Sequence, residues 1–154
     1  MKEIVPGIYQ LRIPIPISPL EYINAYLIRE GDECLLVDTG WNTREAFDAL
    51  ESQLAELGLQ FKDISQIVIT HIHPDHCGLV GRLKQLSGAQ LAFHQKERDL
   101  IDSRYTDVNQ LLRDMERLLR TNGAPAVDIP GMREASMRVK SLVFPAMPDL
   151  TLYG

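Results

Sequence analysis

The sequence predicts an α/β fold, a mixed β-sheet flanked by helices, and three observations carry that reading. Short β-branched runs alternate with amphipathic segments of helical period from residue 42 onward. Two apolar runs meet across a two-residue Gly31-Asp32 turn, the signature of an antiparallel hairpin. The 154 residues, 45% hydrophobic, are enough to bury the core of one layered domain.

Taken in order, residues 4–17 are apolar and strand-like. Pro14, Pro16 and Pro19 each lack a backbone donor, so the segment reads as an edge strand running into a loop. YINAYLIRE and ECLLVDTG form the hairpin. Asn42, with Glu45 three residues on, suggests a capping box. Phe47, Leu50, Leu54 and Leu57 then recur at helical spacing until Gly58 stops the run. ISQIVIT is a strand, and residues 74–86 read as one helix with Leu79, Val80, Leu83 and Leu86 on a single face. AQLAFH returns as a strand. Val108, Leu111, Leu112, Met115, Leu118 and Leu119 then mark a helix ending near Asn122-Gly123. APAVDIPG reads as a loop, 132–142 as a further helix, and the last stretch holds at most one short strand. The strand–helix order is βββαβαβα.

Charge and composition remove several function classes. The net charge of −5 and the lack of a basic cluster argue against a nucleic-acid partner. No apolar run approaches the roughly 20 residues that span a bilayer, and no secretory h-region opens the chain, so neither membrane nor export is expected. Cys34 and Cys77 make neither a CxxC pair nor a disulfide framework, which fits a cytoplasmic protein.

The chemistry concentrates in VITHIHPDHCGL, residues 68–79, which holds three of the chain's four histidines. At a strand end, residues two apart point the same way, so His71 and His73 can aim two imidazoles at one point. Asp75 and His76 follow where the chain turns into a helix and face an adjacent point, so the spacing suggests two neighbouring metal ions. Imidazole and carboxylate donors suit zinc, with manganese or iron possible. Pro74 stiffens the loop, and Gly78 permits close approach of the helix to the site. A metal pair of this kind can activate a bridging hydroxide for hydrolysis of a small-molecule substrate. Four such side chains in six positions would be costly to bury without a metal or charged partner. A histidine alone, such as His94, reads instead as structural or as merely near the mouth of a cleft. Cys77 reads as small buried apolar filler, Cys34 as strand core, and Trp41, Tyr22 and Tyr26 as packing or cleft lining.

THIHPDHCG resembles the H-x-H-x-D-H signature of the metallo-β-lactamase fold superfamily. NAYLI, VDTG and the helix after it resemble the elements that precede that signature in the glyoxalase-II-like hydrolase branch. His73 separates the chain from the flavodiiron branch, which carries glutamate at that place. The resemblance implies that His71 and His73 serve a first metal, Asp75 and His76 a second, and that Asp75 passes a proton to the leaving group. It also implies that Asp38 is a buried aspartate orienting the ligands, where the residues alone allow a simple turn cap before Gly40.

The family fold is a four-layer αββα sandwich, and this chain resembles its N-terminal half. The second half brings a histidine after a Pro-Gly-type turn, a bridging aspartate and a final histidine. His94 is the last histidine here. Residues 1–154 are therefore expected to be a single truncated domain, inactive or weakly active alone. The alternative is a natural half-domain that binds metal or a partner chain without catalysis. Either way the sheet face that would meet the second half is left apolar, and homo-oligomers through it are expected.

Overall fold

The computed structural model describes residues 1–16, 18–106, 108–125 and 128–154; Ile17, Asp107, Ala126 and Val127, and the side chains of Val108, Asp128 and Ile129, lie outside the described residues. One seven-stranded sheet organises them, with strands β1 (Lys2–Val5), β2 (Ile8–Pro14), β3 (Tyr22–Glu30), β4 (Glu33–Val37), β5 (Gln66–Ile69), β6 (Gln90–His94) and β7 (Leu150–Leu152). Spatial order equals chain order. β1 to β4 run antiparallel, and β4 to β7 run parallel, so the sheet is mixed as expected.

Residues 4–17 are not one edge strand. Pro6 and Gly7 (φ 82°) turn the chain between β1 and β2, and β2 lies inside the sheet, hydrogen-bonded to β1 and β3. Pro14 is tolerated because it is the last residue of β2, opposite Tyr22. The sheet thus begins with four strands before the first helix, one more than the sequence predicted. The Gly31-Asp32 hairpin has the expected two-residue loop, with Glu30 opposite Glu33 and Gly31 at φ 60°.

Helix α1 (Arg44–Glu56) starts one residue later than a cap at Asn42 would give: Thr43 is the N-cap, and its side chain accepts from the Ala46 N–H at 3.2 Å. The Asn42 N–H is engaged elsewhere, on the Leu142 carbonyl. α1 is tied to β2 by the buried Gln53, whose amide donates to the Arg12 carbonyl at 2.9 Å and accepts from the Arg12 N–H at 3.0 Å. Residues 74–86 make two helices, α2 (Pro74–Cys77) and α3 (Val80–Ser87), because the Leu79 N–H donates to the Gly40 carbonyl and that of Gly81 to the Phe144 carbonyl. Two rungs of a continuous helix are thereby lost. Leu79, Val80 and Leu83 are buried as expected, whereas Leu86 is 49% exposed.

A short helix α4 (Gln95–Arg98) and a π-type turn at Asp102–Thr106 lead to α5 (Val108–Thr121) and α6 (Asp128–Ser141). α6 begins inside the stretch read as a loop. Pro130 falls in its first turn, where backbone N–H groups have no helical partner anyway. Among the described residues no helix is long and apolar enough to cross a membrane.

Strand alternation sorts the sheet into two faces. Leu11, Ile13, Leu27, Leu36, Ile67 and Phe93 are buried with Leu50 and Leu54 of α1 and Leu83 of α3 in one core. The opposite face carries Tyr26, Ile28, Leu35, Val37, Val68, Leu150 and Leu152, each half-buried or exposed.

Candidate metal centre

β5 delivers the motif. After a bend at Thr70 the chain runs on to His73, the extended N-cap of α2, and Pro74 takes the first helical position, where a missing N–H costs nothing. Alternation then buries Ile72 and turns His71 and His73 to the other side together. His71 Nε2 lies 3.2 Å from His73 Nδ1, with ring centroids 4.7 Å apart and planes 73° apart. On α2, His76 brings Nε2 to 3.5 Å from Asp75 Oδ2. Its ring lies 4.1 Å from that of His71. All four motif residues meet at the C-terminal end of a parallel strand.

Asp38 ties the cluster together from the end of β4. Its backbone is left-handed (φ 62°), a conformation aspartate tolerates better than most residues. Its N–H continues the ladder to the Val68 carbonyl. The residue is only 4% exposed. Its carboxylate accepts from the Thr70 N–H at 2.9 Å, from the Thr70 hydroxyl at 2.8 Å, and from His76 Nδ1 at 2.8 Å. A turn cap would not need this set. Hydrogen bonds to a charged acceptor contribute about 1.5–3 kcal/mol each, and together they offset burial of the charge.

These bonds fix protons. An ionised carboxylate only accepts, so the Thr70 hydroxyl spends its one proton on Asp38 and must accept from its other neighbour, His71 Nδ1, at 3.0 Å. His71 then carries its proton on Nδ1. His76 likewise donates from Nδ1 to Asp38. In their neutral forms both rings leave Nε2 bare, the His71 atom facing His73 and the His76 atom facing Asp75. Burial, together with the neighbouring His76 and His73, pushes the His71 pKa down and favours its neutral form. At His76 burial acts in the same direction, but the hydrogen bond and charge of Asp38, and then Asp75, outweigh it and raise the pKa.

Two donor pairs fit metal ligation. Nitrogens sharing a tetrahedral ion at about 2.0–2.1 Å stand about 3.3–3.4 Å apart, close to the separation of His71 Nε2 and His73 Nδ1. Among the described residues no three His, Cys, Asp or Glu side chains converge to enclose one ion, so each pair offers at most two of the four donors a tetrahedral ion takes.

Sequence reasoning missed three residues that hold this loop. Thr70 relays the Asp38 charge to His71. Glu97 of α4 accepts from the Ile72 N–H at 2.8 Å, and the buried Tyr105 hydroxyl donates to the Ile72 carbonyl, so the peptides between His71 and His73 are gripped on both sides. Gly78 permits close approach, although not to the four motif side chains. A Cβ there would meet the Pro74 carbonyl at 2.5 Å, the Leu142 carbonyl at 2.6 Å and the Asn42 nitrogen at 2.7 Å. The Thr39 N–H and hydroxyl both donate to the His76 carbonyl, at 2.7 and 2.9 Å, which fixes α2 against the β4 end. His94 closes β6 and accepts from the Lys96 N–H at 3.2 Å, capping α4. Cys77 is buried, and burial pushes its thiol up to about 12, as suits inert filler; Cys34 is buried too. Trp41 packs against the core.

Comparison with known proteins gives one family. The sequence model of the metallo-beta-lactamase superfamily matches residues 19–132. A probable metallo-hydrolase, YqjP, of Bacillus subtilis is 44% identical over 70 residues, 46% of this chain and 21% of that protein. A hydroxyacylglutathione hydrolase of Albidiferax ferrireducens is 38% identical over 79 residues, 51% of this chain and 27% of that one. The crystal structure of the metallo-beta-lactamase family protein TTHA1429 from Thermus thermophilus superposes with a TM-score of 0.83 at 35% identity, covering 97% of this chain and 47% of the other. The chain spans less than half the length of each of these proteins.

Proposed function

Because the chain belongs to the metallo-beta-lactamase superfamily, we propose that it is the metal-ligating part of a metal-dependent hydrolase that cleaves esters or thioesters of small molecules. The observation that carries this reading is the pairing of donors: His71 with His73, and Asp75 with His76, each pair within 3.5 Å. The ester or thioester class draws on the glyoxalase-II-like pattern of the sequence and on the name of the Albidiferax relative. Zinc is the expected ion, with manganese or iron as the other candidates.

His71 and His73 would hold one ion, and Asp75 and His76 the second. Metal ions there supply Lewis acidity at the scissile carbonyl and activate water at neutral pH. Asp38 is a positioning residue: it keeps the His76 proton on Nδ1, and through Thr70 the His71 proton on Nδ1, so both Nε2 atoms stay free to ligate. Asp75 is the proposed proton carrier to the leaving group. Its carboxylate is three-quarters buried at the helix start, within reach of a substrate held against the same loop.

The test is zinc binding and hydrolysis by the 154-residue chain beside a His71→Ala/His73→Ala double variant. Zinc should bind to the chain weakly, be removed by chelator, and be reduced in the variant, because each ion keeps two protein donors. Thioester hydrolysis by the chain should barely exceed the variant's. Equal zinc binding by both proteins overturns the ligand assignment, and strong turnover lost on His71→Ala shows that two donors per ion suffice. The same donor count favours a second reading, a half-domain that binds metal or a partner chain without catalysis. Metal binding with no turnover, even when the chain is extended through a second half, would establish it.

A further inference from the structure

Helices α5 and α6 lean together, with Arg133 of α6 3.5 Å from Glu116 of α5, and line with the Asp102–Thr106 turn a half-open cavity of about 340 Å³. Leu111, Leu112 and Met115 face Met132, Ala135 and Val139 across it. The cavity also reaches the metal loop. Pro74, between His73 and Asp75, is part of its wall, and so is Tyr105, whose hydroxyl holds the Ile72 carbonyl. Its charged lining groups are Arg104 and Lys140, and among the described lining residues there is no carboxylate.

Each feature restricts the occupant. A cavity of this size lies at the small end of ligand pockets, about 300–1,000 Å³, and suits a small ligand. Two methionines in an aliphatic wall adapt to a flexible chain better than to a flat ring system. Cations without a carboxylate favour a negative over a positive head. We propose that this cavity binds the linear aliphatic chain of an anionic amphiphile, and that, in the hydrolase proposed above, it is the subsite for the acyl chain of a medium-chain fatty ester or thioester.

The site of cleavage rests on the hydrolase reading, so the test measures binding by metal-free protein in chelator. Decanoate titrated calorimetrically should bind one per chain, octanoate about fifteenfold more weakly at about fourfold per methylene, and decyltrimethylammonium at least tenfold more weakly. Ala135→Trp, filling the cavity from the exposed side of α6, should abolish decanoate binding with the circular dichroism spectrum unchanged. Arg104→Glu/Lys140→Glu should reverse the head-group preference, which keeps the test decisive if the tryptophan variant does not fold. Ile28→Lys on the open sheet face should leave binding unaltered. Affinity independent of chain length, or undiminished by Ala135→Trp in a folded protein, overturns the proposal. Decanoate binding with no zinc-dependent hydrolysis even by a chain extended through a second half leaves the cavity assignment standing and removes the hydrolase reading; hydrolysis by that extended chain without decanoate binding does the reverse.

Discussion

At the residue scale, the position of one proton decides what the site offers a metal. Thr70 can hold the His71 proton on Nδ1 only because its own proton is committed to Asp38. Replacing it with valine keeps the β-branch and the backbone N–H to Asp38 but removes the relay. Thr70→Val is expected to lower zinc affinity by about ten- to a hundredfold, the usual cost of losing an outer-shell partner, while Thr70→Ser retains most of it. Competition against a chromophoric chelator reads the difference. Valine and wild-type proteins with the same affinity would mean that His71 takes its tautomer without help.

At the scale of elements, the corner between α2 and α3 is set by backbone meeting backbone. A methyl at Gly78 has three backbone atoms within 2.7 Å, none of which can rotate away. Gly78→Ala should cost about 1–3 kcal/mol or more in urea unfolding. Gly88→Ala, with open space and only a left-handed φ of 71° to accommodate, should cost less. β7 is held by Asp149, whose carboxylate accepts from Lys84 at 2.7 Å and from the Leu91 N–H at 2.9 Å; those bonds depress its pKa. A depressed carboxylate contributes stability that is present above its unfolded pKa of about 3.9 and is lost as pH falls through the lower folded value. Amide exchange of Leu150–Leu152 should therefore quicken selectively at the acid end, and Asp149→Ala should show the fast exchange already at neutral pH.

The same elements show what the sequence made legible. The Gly31-Asp32 hairpin and the His71/His73 pairing are local, written in a two-residue turn and a period of two. The split of 74–86 was hidden because its cause lies at Gly40 and Phe144, remote partners that capture the N–H groups of Leu79 and Gly81. Glu97 and Tyr105 were hidden for the same reason, since each grips Ile72 across 25 and 33 residues of chain.

At the scale of the whole molecule, the sheet face bearing Tyr26, Ile28, Leu35, Val37, Val68, Leu150 and Leu152, which also carries Gln10, Arg12, Asn24 and Gln66, leaves large apolar groups open to solvent, with Ile28 38% exposed. Surfaces of this kind promote association. Sedimentation of the 154-residue chain should show dimers or larger species growing with concentration, and Ile28→Lys/Leu152→Lys should return it to monomer. A monomeric wild-type chain at high concentration would remove this face as an interface. The equality of spatial and chain order also has a meaning in time. Every strand pairs with one already made: the antiparallel β1–β4 meander closes short loops, whereas the parallel pairings, such as Phe93 with Thr151, close long ones and are the slower to form. In chain order the β1–β4 meander ending at Val37, with Asp38 at its rim, precedes the loop that carries His71. Refolding should carry the trace of that sequence of events. Leu27→Ala in the meander should slow folding, while Phe93→Ala in β6 should chiefly speed unfolding, the pattern of a nucleus formed first and a metal loop that arrives later at a carboxylate already in place.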